Sequence, residues 1–261
     1  MSKTVIITGA SSGIGKACAA RFQKEGYQVI DFSRRAKTEG GITGIPTDVT
    51  DEAGVIASVG QVVTLYGKID ALVCCAGFGI SGAIECTKSS DAKAQMEVNL
   101  FGTDNCVRAV LPYMREQKSG HIVLISSVAG VIPIPFQAWY SMSKAAIISY
   151  AGALRNEVRP FKIKVCAVLP GDIKTGFTAA RQKNEAGDDI YRGKIKKAVA
   201  QMEHDEQHGM SPDTVAEVVY QQATKRSPKP TVIVGFTYKL LGALIKFLPI
   251  RLSNWLVGKL Y

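Results

Sequence analysis

The chain has 261 residues, of which 46% are hydrophobic and 21% charged, a balance that indicates one soluble α/β domain with a full core. No long apolar run predicts a signal peptide or a membrane-spanning helix, and no Cys/His spacing predicts a metal site. We therefore expect a cytoplasmic protein with six reduced cysteines. The formal net charge of +10 comes from dispersed lysines and arginines, which argues against nucleic acid and favours a phosphate-rich cofactor or an anionic membrane surface.

Short β-branched runs alternate with segments of helical periodicity along most of the chain. The predicted strands cover residues 4–8, 27–33, 69–74, 121–126, 163–169 and 231–234, and the predicted helices cover 13–26, 51–66, 89–117, 138–159 and 212–225. Near-continuous apolar strands between amphipathic helices predict a parallel sheet with helices on both faces. We expect residues 1–235 to form a single-domain, doubly wound Rossmann fold, in which ligands bind beyond the carboxyl ends of the strands.

The first predicted strand leads into the sequence TGASSGIG. Gly9, Gly13 and Gly15 allow the backbone to approach a pyrophosphate, and the helix that follows offers free N–H groups and the positive end of its dipole. Ser11 and Ser12 either cap this helix or bind a phosphate. A glycine motif between an N-terminal strand and a helix predicts a dinucleotide site.

The second predicted strand ends in the sequence DFSRR, which bears on the choice of cofactor. Asp31 lies inside the strand, whereas Ser33, Arg34 and Arg35 follow at its tip. Arginine suits the 2′-phosphate of NADP because its donors form a bidentate fork. We therefore predict NADP(H). A position of Asp31 close to the ribose would favour NAD instead.

The sequence TDVTD is expected at the end of the third strand. Asp48 and Val49 are candidates for a hydrogen bond and an apolar contact with adenine. Asp51, with Thr50, has the alternative role of capping the next helix.

Further motifs follow in a fixed order. They are CCAG at 74–77, Asn99, ISS at 125–127, YSMSK at 140–144 and PGDIKT at 170–175. Together with the glycine motif they resemble the short-chain dehydrogenase/reductase family, in its single-domain branch, over residues 3–235.

This resemblance implies a catalytic set, which consists of Tyr140, Lys144, Ser127 and Asn99. It implies that Tyr140 exchanges a proton with the substrate, that Ser127 holds the carbonyl, and that Asn99 helps to hold a relay water. From the residues alone, the i, i+4 spacing places Tyr140 and Lys144 on one face of a helix. A nearby ammonium favours the phenolate, so we expect Lys144 to lower the phenol pKa from its usual value of about 10.

The resemblance also implies the remaining cofactor contacts. The matching positions are Gly9, Gly13, Ile14 and Gly15 in the glycine motif, Ala76 and Gly77 after the fourth strand, and Pro170, Gly171, Ile173 and Thr175 at the nicotinamide end, together with Tyr140 and Lys144. One departure is that Cys74 and Cys75 stand where the family commonly has two asparagines. The exchange predicts the loss of side-chain hydrogen bonds that brace the sheet.

Two segments are candidates for the substrate side. The charged segment 176–210 is expected to form a helical lid, or simply a solvated helix pair. The segment 236–261 is strongly apolar, and its basic and interfacial side chains are Lys239, Lys246, Arg251, Trp255, Lys259 and Tyr261. It is compatible with a cover over the pocket, with amphipathic helices on a membrane, or with a dimer contact.

These features predict an NADP(H)-dependent oxidoreductase that interconverts a ketone or aldehyde and an alcohol. The C-terminal segment resembles those of family members that act on steroids, retinoids or acyl lipids, which implies an apolar substrate. The family is usually dimeric or tetrameric, so a homodimer or homotetramer is expected. The alternative is a non-catalytic dinucleotide-binding sensor or scaffold, against which the intact Tyr140, Lys144 and Ser127 argue.

Overall fold

A seven-stranded sheet forms the centre of the computed structural model, which describes residues 2–260. Within that range the strands are β1 (Thr4–Thr8), β2 (Gln28–Phe32), β3 (Ile42–Gly44), β4 (Ala71–Cys74), β5 (Ile80–Ser81), β6 (Gly120–Ile125), β7 (Ile163–Pro170), β8 (Gln182–Lys183) and β9 (Thr231–Val234). The helices are α1 (Gly13–Lys24), α2 (Glu52–Tyr66), α3 (Ser89–Met96), α4 (Gly102–Gln117), α5 (Ala138–Glu157), α6 (Phe177–Ala180), α7 (Lys194–Gln207), α8 (Pro212–Thr224), α9 (Phe236–Phe247) and α10 (Ile250–Leu260).

The order of the strands in the sheet is β3-β2-β1-β4-β6-β7-β9, and every neighbouring pair is parallel. The short strands β5 and β8 pair separately. The chain proceeds outward from β1 to β3 and then resumes on the other side of β1, so a crevice opens at the carboxyl ends near this switch. The predicted doubly wound Rossmann fold is therefore confirmed.

Each face of the sheet has its own core. Ile6 and Leu72 point to the face covered by α2, α4 and α5, whereas Val5 and Val73 point to the face covered by α1 and α8. Because both faces are buried, successive residues of a strand are apolar instead of alternating with polar ones. This explains the continuous apolar runs in the sequence.

Most predicted strands and helices are confirmed within a few residues, but the third strand is not where it was expected. Strand β3 ends at Gly44, and TDVTD lies in the loop before α2. Backbone hydrogen bonds to β2 continue past this strand, because the N–H groups of Ile45 and Thr47 donate to the Asp31 and Ser33 carbonyls at 3.0 and 3.1 Å. The predicted helix 89–117 is also interrupted, because five residues, Glu97–Phe101, form a wider π-helical turn between α3 and α4.

The two candidate substrate segments are both folded. Residues 176–210 form α6, β8 and α7, and α7 buries one apolar face through Ile195, Ala198 and Met202. Residues 236–260 form α9 and α10; Tyr261 and the side chain of Lys246 lie outside the described part of the chain. Among the described helices, none is both long and apolar enough to cross a bilayer.

Candidate active site

A cavity of about 1250 Å³ opens at the carboxyl ends of the central strands. Every predicted cofactor residue lines it, and so do Ser127, Tyr140 and Lys144. Asn99 does not line the cavity; it is buried behind Gly77, whose Cβ, if present, would lie 2.9 Å from the Asn99 carboxamide oxygen. The fold thus brings together residues from the ends of six strands around one space.

The glycine turn between β1 and α1 is tightly packed. Gly9 has a φ of +69°, and a Cβ on it would lie 3.2 Å from the backbone of Ala76. A Cβ on Gly15 would overlap the Gly9 carbonyl. Ser12 occupies the N-cap position of α1 without a side-chain capping bond. The hydroxyls of Ser11 and Ser12 therefore face the cavity as exposed groups.

The Asp31 carboxylate is hydrogen-bonded to other residues of the protein and does not line the cavity. It is 6% exposed, and one carboxylate oxygen accepts hydrogen bonds from the Ala10 N–H and the Ser33 hydroxyl. Burial raises its pKa, and these two bonds oppose the rise. The Asp31 carboxylate thus holds the start of the glycine turn in place through the Ala10 N–H.

The tip of β2 presents cations to the same end of the cavity. Arg34 and Arg35 are exposed and line it, and neither forms an ion pair with a carboxylate of the described residues 2–260. The Arg34 guanidinium contributes to the lowered pKa of Asp48, although hydrogen bonds from Thr50 contribute more.

Val49 is buried in the wall beside Asp48, and the Asp51 carboxylate accepts a bond of 3.1 Å from the Gly54 N–H. The capping role of Asp51 is therefore confirmed.

The turn after β4 is braced in spite of the two missing asparagines. The Thr8 hydroxyl accepts hydrogen bonds of 3.0 Å from the N–H groups of Cys75 and Ala76. Cys74 is buried, and Cys75 lines the cavity; both are free thiols. The expected loss of bracing is therefore offset by a side chain from the neighbouring strand β1.

Tyr140 and Lys144 lie one turn apart near the start of α5. The Lys144 ammonium is 5.7 Å from the centre of the Tyr140 ring and donates a hydrogen bond of 3.0 Å to the Ile125 carbonyl. The Ser127 hydroxyl donates to the Pro170 carbonyl at 3.5 Å and accepts from the Ala129 N–H at 3.1 Å, and it is near enough to Tyr140 to act on the pKa of the phenol. Ser126 fixes α5 by donating to the Lys144 carbonyl at 2.7 Å.

The pKa of Tyr140 differs from the sequence expectation. Burial raises the pKa of the phenol to about 12, and the hydrogen bond with Ser127 only partly opposes this. Burial lowers the pKa of Lys144 from 10.5 to about 8. The expected lowering of the phenol pKa by Lys144 is thus absent here, because removal of both groups from water disfavours the charged form of each.

Asn99 lies in the π-helical turn, and both the oxygen and the nitrogen of its side-chain amide are hydrogen-bonded to other residues. Its oxygen accepts from the Phe78 N–H, and its nitrogen donates to the Phe78 carbonyl, each at 3.0 Å. The same nitrogen donates to the Ser143 hydroxyl at 3.1 Å, and Ser143 in turn donates to the Tyr140 carbonyl at 2.8 Å. Asn99 thus links the turn after β4 to the helix that carries Tyr140.

The two serines within YSMSK connect the start of α5 to neighbouring backbone groups. Ser141 and Ser143 are buried and hydrogen-bonded, Ser141 to the Ile134 N–H at 3.2 Å. Serine at these positions satisfies backbone groups at the crowded start of α5. Nothing in the local sequence distinguishes such a role from that of a small spacer.

The segment after β7 forms the floor of the cavity opposite Tyr140. Pro170 ends β7, Ile173 is buried, and the Thr175 hydroxyl accepts a bond of 3.2 Å from the Phe177 N–H. The Phe177 ring lies 5.7 Å from that of Tyr140. A Cβ on Gly171 would overlap the ring of Tyr238 in α9.

Several cavity residues were not identified from the sequence. Those with charged or polar groups are Gln137, Asp172, Glu206 and Tyr238, and those with apolar side chains from α9 and α10 include Leu241, Leu244, Ile245, Leu256 and Val257. Except for Gln137, they lie in the segments 170–175, 176–210 and 236–261, but no local pattern identifies the individual residues.

The cavity fits a nicotinamide dinucleotide. The glycine backbone, the open start of α1 and the cations at the tip of β2 match its phosphates. The volume exceeds that of typical single-ligand pockets, roughly 300–1000 Å³, which leaves room for a second molecule next to Tyr140.

Comparison with known proteins identifies relatives over nearly the whole chain. A family model described as short chain dehydrogenase matches residues 3–186. A 3-ketodihydrosphingosine reductase from Bacteroides thetaiotaomicron is 36% identical over 255 residues, which cover 97% of this chain and 92% of the relative. A short-chain dehydrogenase from Streptomyces avermitilis has a similar structure, with a TM-score of 0.85, 29% identity, and coverage of 97% and 96%. The structure of ElxO with NADP bound gives a TM-score of 0.77 at 29% identity, with coverage of 92% and 100%.

Proposed function

Because the chain belongs to the short-chain dehydrogenase family, we propose that it is an NADP(H)-dependent oxidoreductase that interconverts an apolar, lipid-like ketone and its alcohol. The observation that carries this proposal is the meeting of Tyr140, Lys144 and Ser127 in one cavity. A phosphate-binding glycine turn forms one end of this cavity and apolar helices form the other.

The bound dinucleotide supplies hydride to a carbonyl carbon, or accepts it in the reverse reaction. The chain's own residues act on the oxygen and the proton. The Ser127 hydroxyl donates to the carbonyl oxygen and orients it, and Tyr140 donates its phenolic proton to that oxygen during reduction. A phenol with a raised pKa stays protonated at neutral pH, as an acid must. Lys144, with a pKa of about 8, is mostly charged there and stabilises the phenolate that forms.

The preference for NADP(H) over NAD(H) is supported by the tip of β2. Arg34 and Arg35 are exposed, unpaired cations in the cavity wall, and Ser33 adds a hydroxyl beside them. Asp31, the residue that would favour the ribose hydroxyls of NAD, is bound to the Ala10 N–H and Ser33 instead. The NADP-bound state of ElxO is in line with this choice.

The apolar nature of the substrate is supported by the opposite end of the cavity. Leu241, Leu244 and Leu256 come from α9 and α10, and Ile132 and Ile134 come from the loop before α5. The relative from Bacteroides thetaiotaomicron is named for reduction of 3-ketodihydrosphingosine, a long-chain amino ketone. We propose a long-chain ketone of this kind as the substrate, with residues 176–210 as the lid above it.

The test is a screen of ketones with NADPH, followed by the loss of its absorbance. We expect turnover with 3-ketodihydrosphingosine and with other long-chain ketones, and much lower kcat/KM with short water-soluble ketones. Turnover restricted to short polar ketones would contradict the substrate class. Tight NADPH binding without turnover of any ketone would favour the sensor or scaffold instead.

We further propose that α9 and α10 contact a membrane surface, from which an apolar substrate would enter. Phe236 is 83% exposed, Phe247 87% and Ile250 76%, and Trp255 is also exposed. Such a concentration of exposed apolar side chains marks an interaction surface. The nearby Lys239, Arg251 and Lys259 suit anionic headgroups.

Vesicle sedimentation tests the membrane contact. Phe247→Glu should reduce binding to anionic vesicles by about tenfold or more, because burial of such a side chain is worth roughly 1.5–3 kcal/mol. Leu65→Glu is the matched control, since Leu65 is a similarly exposed apolar residue on α2. Equal behaviour of the two variants, or no binding by the unaltered protein, would contradict the contact.

A further inference from the structure

Asp172 is a carboxylate at the substrate end of the cavity that forms no ion pair with any side chain the structure describes. It lines the cavity just after Pro170 and Gly171. One of its oxygens accepts a hydrogen bond from the Tyr238 hydroxyl. No ion pair and no second side-chain hydrogen bond of Asp172 is found among the described residues. Its charge is close enough to Tyr140 to contribute to the raised pKa of the phenol.

Two other charged side chains near this end, Arg181 and Glu206, are paired with each other. Arg181 is buried, and it donates to the Glu206 carboxylate and lies 5.6 Å from the centre of the Phe177 ring. The second Glu206 oxygen accepts from the Thr178 hydroxyl at 2.6 Å. Lys144 donates to the Ile125 carbonyl. Arg181 and Glu206 offset each other, whereas Lys144 bonds a neutral carbonyl and keeps its charge, so Asp172 is the described carboxylate of this wall without an ion pair.

We propose that Asp172 binds a cationic amino group on the substrate, next to the carbonyl that Tyr140 protonates, and so selects amino ketones over plain ketones. The inference rests on the proposed reductase function and specifies the substrate for it. A carboxylate partly removed from water is poorly solvated, and an ammonium that enters the cavity would restore the lost interactions. Burial raises the pKa of Asp172, and the hydrogen bond from Tyr238 and the charge of Arg181 oppose the rise only in part.

Tyr238 gives Asp172 a defined orientation. The Tyr238 ring packs directly over Gly171, and its hydroxyl donates to one Asp172 oxygen. The second oxygen accepts no hydrogen bond from a described side chain, and Asp172 lines the cavity. The C-terminal segment therefore supplies the apolar wall for an alkyl chain and, through Tyr238, positions the group that would bind the amine.

The test compares two substrates that differ only in the amine. They are 3-ketodihydrosphingosine and its deamino analogue, 1-hydroxyoctadecan-3-one, each with NADPH. In Asp172→Asn, kcat/KM for the amino ketone should fall by about 10- to 100-fold, the usual effect of losing a charge-assisted hydrogen bond, while the value for the deamino ketone changes less than about threefold. Asp205→Asn is the matched control, because Asp205 is a nearby carboxylate on α7 that does not line the cavity. It should leave the ratio of the two substrates unchanged.

Other outcomes overturn the inference. Equal losses of kcat/KM for both ketones in Asp172→Asn would indicate that Asp172 only holds α9 in place. No loss for either ketone would show that Asp172 does not take part in substrate recognition. If the unaltered protein reduces only the deamino ketone, the reductase proposal stands and the role of Asp172 is wrong.

If neither ketone is turned over, the proposed function fails, and direct binding decides the role of Asp172 separately. In that case dihydrosphingosine should still bind more tightly than 1,3-octadecanediol by Trp fluorescence. Asp172→Asn should abolish that difference, and an unchanged difference would overturn the inference.

Discussion

The two ends of the cavity are built by different physical means. At the cofactor end, backbone and short side chains from strand ends form the wall, and they are fixed by the two cores of the sheet. At the substrate end, side chains from α6, α7, α9 and α10 form the wall, and many neighbouring apolar groups remain exposed. The position of a residue at a strand end is determined by the packing of the whole sheet. The position of a helix that covers the cavity is determined by a few contacts. We therefore expect the proposed reaction chemistry and substrate choice to depend on parts of the chain that can change separately.

The largest expected effect is at the junction of the two ends. Tyr140→Phe should lower kcat for ketone reduction by about 10²- to 10⁴-fold, because it removes the proton donor. The Kd for NADPH should stay within about twofold, which fluorescence titration can measure. Tyr150→Phe is the matched control, since Tyr150 lies on the same helix α5 and its hydroxyl donates to Asp104. Comparable rates in the two variants would refute the role of Tyr140.

The next effect concerns the cofactor end alone. Arg34→Ala should weaken NADPH binding by about 10- to 100-fold, as expected for loss of a charged contact with phosphate. NADH binding should hardly change, which makes NADH the internal control. Titration with both cofactors measures this, and an unaltered Kd for NADPH would show that the tip of β2 does not select the phosphate.

A pH profile tests the electrostatics of the catalytic pair. Burial lowers the pKa of Lys144 to about 8, so the ammonium is present below that pH and lost above it, while Tyr140, at about 12, stays protonated throughout. The kcat/KM for reduction should therefore be level near pH 6–7 and fall about tenfold between pH 7 and 9. In Lys144→Gln, kcat/KM should be lower than in the unaltered protein and should not fall between pH 7 and 9. A profile in the unaltered protein that stays level to pH 10 would contradict the lowered pKa.

The smallest expected effect lies at the substrate end. Lys239→Gln should weaken binding to anionic vesicles by about fivefold, since one basic residue near such a surface contributes about 1 kcal/mol. Binding to neutral vesicles should not change. Lys118→Gln is the control, because Lys118 is exposed and lies at the end of α4, just before β6 begins. A loss of the same size in both variants would indicate a general charge effect without a docking face.

The cofactor end was predictable from the sequence because its residues act through local geometry. The glycines after β1, the DFSRR tip and the Tyr140–Lys144 spacing each define a turn or a helix face within a few residues. At the substrate end the sequence indicated only the segments 176–210 and 236–261, since Asp172, Glu206 and Tyr238 meet through tertiary packing that no local pattern specifies. The pKa values also escaped prediction, because the degree of burial around Tyr140 and Lys144 depends on the whole surrounding fold.

The contact between Gly171 and Tyr238 has a consequence for variation of this protein. Any side chain at position 171, even a methyl group, would overlap the Tyr238 ring, so the ring or the helix that carries it would have to move. Exchange of the C-terminal segment with that of a relative would therefore require compatibility at this single glycine. A new C-terminal segment could change the substrate range, in evolution or in the laboratory. Such a segment would first have to fit the space next to residue 171.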